Sequence, residues 1–211
     1  MNFSAMITET QRLLGKDTKF DTTTVGARLN ISQVDIAILT KLLEGNVDMN
    51  CTANTAEYAY PAGSNILKLL HVLFYNGSYY DKLSHMAFNT FLKTSGDVFG
   101  TPEAWYDRPA AQKFGLFPIP GSAGTNYIRL YFIPNPTTMA VTSQETCDLP
   151  AYTHQAICIH AGMWLSMPDK DETEIGRWQA LLDRELAKIR HFNIPKSAVY
   201  QQEDSDAADI E

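Results

Sequence analysis

The chain has 211 residues, a net charge of −7, 45% hydrophobic and 19% charged residues. That length supports one large domain or two small ones with a sizeable core. The acidic balance argues against whole-surface binding to nucleic acid phosphates, which needs clustered Lys and Arg. Cys51, Cys147 and Cys158 are odd in number and lack CxxC spacing, so they read as reduced thiols rather than a disulfide framework or zinc site. The first residues, MNFSAMITETQRLLGK, have no basic segment followed by an apolar one, so no secretory signal is expected. The longest apolar run, 66–75, is interrupted by Lys68 and His71 and is too short to span a bilayer as a helix.

Phe3, Met6, Ile7 and Leu14 have helical spacing over 3–14, and Gly15 stands where a helix C′ residue is expected. The Thr-rich stretch 16–30 reads as a loop. Ser32 then opens a second helix with Asp35 three residues on, Leu39, Leu42 and Leu43 supply its apolar stripe, and Gly45-Asn46 stops it. From 47 to 60 the helix signals vanish, and Tyr58 and Tyr60 fall on one strand face. Pro61-Ala62-Gly63 is a turn. Asn76-Gly77 marks a type I′ hairpin turn, which makes 66–75 a strand returning near 78–83. A short helix is expected over 84–93.

Prolines 102, 109, 118, 120, 134 and 136 then bracket short strands, since proline donates nothing to a central ladder. The clearest strand is 127–133, with Tyr127, Arg129, Tyr131 and Ile133 on one face and Ile128, Leu130 and Phe132 on the other. Helix returns after Asp148, a candidate cap, with Pro150 in the first turn. Ala156, Ile159, His160, Met163, Trp164 and Met167 make a broad apolar face, closed by Pro168. Asp169 and Glu172 open another helix, in which Ile175, Trp178, Leu182, Leu186 and Ile189 repeat at three and four residues. The short connection makes the two an antiparallel pair. Residues 201–211, QQEDSDAADIE, are acidic and poor in apolar groups.

These elements predict an α+β chain: an α-helical bundle built from the N- and C-terminal segments, an inserted antiparallel β-rich domain, and an extended C-terminal tail. The expected boundaries are 1–46, 47–145, 146–192 and 193–211.

Chemistry-bearing motifs are few. His71, His85, His154, His160 and His191 include no HExxH and no pair at i, i+4. Gly121-Ser122-Ala123-Gly124-Thr125 lacks the Lys-Ser/Thr of a phosphate loop. Asp169-Lys170-Asp171-Glu172 lacks the central Gly and distal Glu of a calcium loop. Ser143, Ser166 and Ser197 have no G-x-S-x-G context. His154, Cys158 and His160 share one predicted helix and are the sole basis for a small-hydrolase alternative. Tyr79, Tyr80, Trp105, Tyr106, Phe114, Phe117, Tyr127, Tyr131 and Phe132 could stack on single-stranded nucleic acid. Only Arg108, Lys113 and Arg129 interleave them across 101–133, so core and subunit packing is the favoured use. No metal, cofactor or catalytic group is expected.

The order of the pieces points to a family. N-terminal helices and an Asn-Gly hairpin precede Gly100-Thr101-Pro102-Glu103-Ala104-Trp105-Tyr106. Leu116-Phe117-Pro118-Ile119-Pro120, the Asn-Pro turn after Tyr127–Ile133, and Asp148-Leu149-Pro150 follow. In that order they resemble the head-to-tail adaptor, or connector, proteins of tailed bacteriophages, including the tail-tubular-protein-A type. The resemblance implies a structural virion protein without catalytic residues, at the head–tail interface, assembled in the host cytoplasm. It implies a dodecameric ring that docks on the portal, carries the tail tube or nozzle, and lets viral DNA pass its lumen without specific binding or contact with a membrane. A C-terminal extension grips the portal in such proteins, which directs attention to Ile194, Pro195, Val199 and Tyr200. A tail-completion or terminator protein is the alternative within the same structural class.

Overall fold

The computed structural model describes residues 1–15, 20–94, 98–140, 145–167 and 172–192. They form two compact units, 1–42 with 136–211, and 43–135.

The first unit is built on four helices: α1 (Phe3–Leu13), α2 (Thr22–Thr40), α4 (His154–Ser166) and α5 (Glu172–Phe192). In α1 the buried residues are Phe3, Met6, Ile7 and Thr10, one face at three- and four-residue spacing. Asn2 caps it, accepting the Ala5 N–H at 2.9 Å, and Gly15 past its end has φ +79°, as expected for a C′ glycine.

The loop expected over 16–30 is overturned from residue 22 onward; 16–19 lie outside the described residues. Asp21 is the N-cap, accepting the Thr24 N–H at 2.7 Å, and Val25, Leu29, Ser32 and Ile36 form the buried stripe. Tertiary burial of that stripe outweighs the modest helix propensity of three consecutive threonines. Ser32 is therefore a buried mid-helix residue rather than a cap. The helix ends before Leu42, with Lys41 in the left-handed region at φ 53°, and Leu39 projects outward.

A stretch without regular structure completes this unit's core: Met139, Cys147 and Leu149 are buried. Side chains of α2 satisfy its backbone. Asn30 donates to the Met139 carbonyl (2.9 Å) and accepts its N–H (3.0 Å), while Gln33 donates to the Thr137 carbonyl (2.9 Å). The Cys147 thiol donates to Gln33 Oε1 at 3.3 Å. Asp148, expected to cap the next helix, accepts the Thr137 N–H at 2.6 Å instead. A 3-10 turn, Ala151–Thr153, leads into α4, with Pro150 before it and its carbonyl accepting the Thr153 N–H at 2.9 Å. Helix α5 packs on α4 where Gly162 leaves room for Trp178; a Cβ at 162 would lie 2.8 Å from the indole.

Among its described residues the second unit holds two four-stranded sheets, a two-stranded sheet and one α-helix. Its elements are β1 (Gly45–Cys51), β2 (Glu57–Ala59), β3 (Ile66–Tyr75), β4 (Tyr80–Lys82), β5 (Ser84–His85), α3 (Phe88–Thr94), β6 (Phe99–Gly100), β7 (Ala104–Arg108), β8 (Lys113–Phe117), β9 (Ile119–Pro120) and β10 (Gly124–Pro134). One sheet has the order β1-β10-β3-β4, all antiparallel. The other is β2-β8-β7-β5, in which β5 and β7 run parallel. Both sheets feed one hydrophobic cluster: Val72, Phe74, Ile128, Leu130 and Phe132 from the first, Tyr58, Trp105, Phe114 and Leu116 from the second. The register shift opposite Leu69–His71 changes which β3 residues face inward. That is why 66–75 reads as a continuous apolar run instead of an alternation.

The hairpin after β3 is present, but its turn is not type I′. Tyr75 pairs with Tyr80, leaving a four-residue loop. Only Gly77 takes positive φ, and Asn76 Oδ1 accepts the N–H groups of Ser78 (3.0 Å) and Tyr79 (3.1 Å). The asparagine acts through its side chain rather than through a left-handed backbone.

The α+β class fits the structure, but the expected α-helical bundle with a β insert does not. The molecule is mixed, with five α-helices and several sheets among the described residues. One helix, α3, lies among the strands, and the helical unit's core includes non-helical backbone around Met139, Cys147 and Leu149. Binary pattern alone assigned each stretch to a layer. It carried no signal for the coil that Asn30 and Gln33 hold.

Candidate functional site

His154, Cys158 and His160 do share α4, but each faces a different partner. His154 Nε2 lies 3.0 Å from the Leu149 carbonyl, which only accepts, so Nε2 carries the proton; Nδ1 faces the Met1 amino nitrogen at 2.8 Å. Cys158 is fully buried, donates to the Met6 carbonyl at 3.6 Å, and burial pushes its thiol up to about 12. A thiol so far from ionising is a poor nucleophile at neutral pH. His160 Nε2 accepts the Trp164 indole N–H at 3.2 Å, which leaves the proton on Nδ1, donating to Ser32 Oγ at 3.0 Å. Desolvation depresses the pKa of both histidines. Every ring nitrogen is thus engaged in holding the fold, and the three groups assemble no nucleophile–base pair.

The surroundings of His160 were not legible as a site. Asp35 Oδ2 is 3.8 Å from its Nδ1 and 4.0 Å from the Arg28 guanidinium, which lies over the Trp164 ring at 4.7 Å from its centroid. Arg28 Nε is buried without a partner. Arg28, Ser32 and Asp35 were placed in a loop and a cap. The i, i+4, i+7 spacing behind the Asp21 cap was the signal that joins them.

The aromatic residues divide between core and surface. Trp105, Tyr106, Phe114 and Phe132 are buried. Phe114 stacks with Tyr58 (5.6 Å between centroids) and Tyr60 (6.4 Å), and Tyr106 stacks on Phe91 at 4.2 Å. Tyr79 is exposed. The three interleaved cations are each occupied by a carboxylate: Arg108 and Lys113 meet Glu57 at 2.7 and 3.9 Å, and Arg129 meets Asp48 at 2.6 Å. Those pairs spend on the fold the charge that a phosphate backbone would need. Ser122, in the Gly-rich loop, gives its carbonyl to the Cys51 thiol at 3.5 Å. No group of three or more His, Cys, Asp or Glu able to hold a metal occurs among the described residues. No described helix is long and apolar enough to cross a membrane.

The described surface carries large apolar side chains. Ile31, Leu39 and Trp164 are exposed in the first unit, and Tyr79, Leu92 and Phe99 in the second. Large apolar side chains left in solvent at several places are what contact with other proteins would cover. Ile194, Pro195, Val199 and Tyr200 lie outside the described residues, as do Ser143, Ser197 and Asp169-Lys170-Asp171.

Comparison with known families supplies the decisive observation: the SU10 adaptor protein family matches residues 1–208. The chain belongs to that family. It is a phage head–tail adaptor, a structural component of the virion at the head–tail junction, and the role implied is non-enzymatic. No curated protein matches the chain. Connector function calls for surfaces that meet portal and tail components.

Proposed function

We propose that this adaptor forms a dodecameric ring of the tail-tubular-protein-A type, docked beneath the portal, extending the DNA channel and offering a platform to the tail tube or nozzle. The observation that carries the reading is the family match across residues 1–208. Two further features support it. A net charge of −7 lowers sticking of a passing polyanion. A closed ring of head-to-tail contacts needs two different faces per subunit, and exposed apolar residues occur in both compact units. Within the ring the helices of 1–46 and 146–192 act together as one module, and the β-rich segment of 47–145 acts as another. The extension 193–211 grips the portal through Ile194, Pro195, Val199 and Tyr200.

The test is co-sedimentation of purified protein with purified portal, in the full chain and in a variant lacking 193–211. Docking that weakens at least tenfold with an unchanged circular dichroism spectrum supports the reading, tenfold being about 1.4 kcal/mol. Undiminished docking by the truncated chain removes the extension from the account.

A further inference from the structure

Helix α5 carries an open groove lined by Arg177, Ala180, Leu181 and Arg184. Arg177, Ala180 and Arg184 are exposed. Among the described residues Arg177 has no carboxylate partner. Among the described residues Arg184 meets only Glu185, at 3.6 Å, and Lys188 already holds the same oxygen at 2.7 Å. Two cations with spare capacity thus flank a short apolar floor. Seven helical residues separate them, which places them about 10 Å apart along the axis.

The chain itself contains a complement. Residues 193–211 hold five carboxylates, Glu203, Asp204, Asp206, Asp209 and Glu211, against the one cation Lys196. Asp206 and Asp209 are three apart, with Ala207 and Ala208 between them. In a polyproline II strand residues three apart lie on one side, about 9 Å apart, which matches the spacing of the two arginines. A strand running back along α5 would meet Arg184 first, then the Ala180–Leu181 floor, then Arg177.

We propose that the acidic stretch 203–211 docks in this way on the α5 groove of its own subunit, Asp206 on Arg184 and Asp209 on Arg177, with the backbone of Ala207-Ala208 crossing the floor between them. The reach is sufficient. Arg184 is eight helical residues before Phe192, about 12 Å. Fourteen residues separate Phe192 from Asp206, with a root-mean-square span of about 20 Å for a flexible chain. Exposed ion pairs of this kind are weak and screened by salt, so two of them would not hold a separate molecule. A short tether supplies an effective concentration of about millimolar, which favours the subunit's own tail over a neighbour's. The docked state is accordingly easy to release. It keeps the C-terminal extension on its own helix until a better partner takes it, a step that the connector reading does not contain.

The test uses the full chain with Ala180→Cys and Ala207→Cys. The native thiols Cys51, Cys147 and Cys158 are buried and do not compete. Mild oxidation at low salt is expected to give an intrachain disulfide, read as a fast-migrating monomer band and by peptide mass. Its rate should fall about fivefold or more in about 0.5 M salt, where the screening length is a few ångströms. It should fall similarly with Arg177→Glu and Arg184→Glu, and recover when Asp206→Arg and Asp209→Arg are added to them. A rate indifferent to the charge reversals, a disulfide formed only between chains, or none at all overturns the proposal. None of these outcomes bears on where the protein sits in the virion, so this inference and the connector reading fail separately.

Discussion

Replacing Gly115 by alanine puts a single methyl group where the second unit has no room. Gly115 and Tyr106 are direct partners across β7 and β8. A Cβ at 115 would fall inside the contact distance of the Tyr106 ring, with Cε1 at 2.5 Å and Cζ nearer still. The ring cannot simply swing away. Tyr106 is 1% exposed and stacked on Phe91 at 4.2 Å. Overpacking by one methylene costs about 1–3 kcal/mol, and the upper end applies because the obstacle is an aromatic ring rather than the tip of a flexible chain. With a urea dependence of about 2 kcal/mol per molar, Gly115→Ala should lower the unfolding midpoint by about 1–1.5 M. Equilibrium unfolding followed by tryptophan fluorescence reads this, since Trp105 is the neighbour of Tyr106 in β7. The double variant with Tyr106→Leu should lose much less than the two single changes added together, a coupling of about 1–2 kcal/mol. A Gly115→Ala midpoint within about 0.2 M of the parent, or strict additivity with Tyr106→Leu, would refute the packing argument, because such shifts are the size of ordinary surface substitutions.

Three further outcomes can be checked. His154 and His160 have folded pKa values below the ordinary 6.5, so below about pH 6.5 the unfolded chain takes up protons that the folded chain refuses. Stability should be full above that pH and fall as acid is added down to the folded values, with a slope of up to about 2.7 kcal/mol per pH unit if both titrate together, measured by urea unfolding at pH 7.5, 6.5 and 5.5. With Cys158 pushed up to about 12 and burial raising Cys51 and Cys147 as well, the native protein at pH 8 should react with a thiol reagent orders of magnitude more slowly than the unfolded chain; a fast native thiol would contradict the burial. Ile31→Ser with Leu39→Ser should change stability by less than about 0.5 kcal/mol, because both side chains face solvent, yet reduce ring formation on portal; unchanged assembly would remove this face of α2 from the interface.

Strand and helix periodicity was the legible layer of this sequence. The stripes of α1 and α5 and the alternation of β10 as far as Phe132 could be read because burial there follows each element's own period. The strands β7 and β8 were instead marked by their flanking prolines, since each buries three consecutive residues. The start of α2 could not, because Thr22, Thr23 and Thr24 suggest loop and only the Asp21 cap with its buried stripe reveals helix. The Asn76-Gly77 turn was correctly placed but wrongly typed, since the asparagine's contribution is a side-chain hydrogen bond. Least legible were the long-range polar contacts. Asn30 to Met139, Gln33 to Thr137 and His160 to Ser32 join residues more than a hundred positions apart, and no local pattern announces them. The same kind of contact engages the histidines. Residues that could be drawn on one helix as a hydrolytic cluster are instead the ties that hold that helix to its neighbours.

The ring proposed between portal and tail is open to direct observation. Cryo-electron microscopy of the assembled particle, with the protein's position assigned from side-chain density, tests it most directly. The account requires a closed ring of twelve copies directly beneath the portal, with residues 193–200 in contact with it. Absence of the chain from mature particles, or its placement away from the portal at the far end of a tail tube, would contradict it.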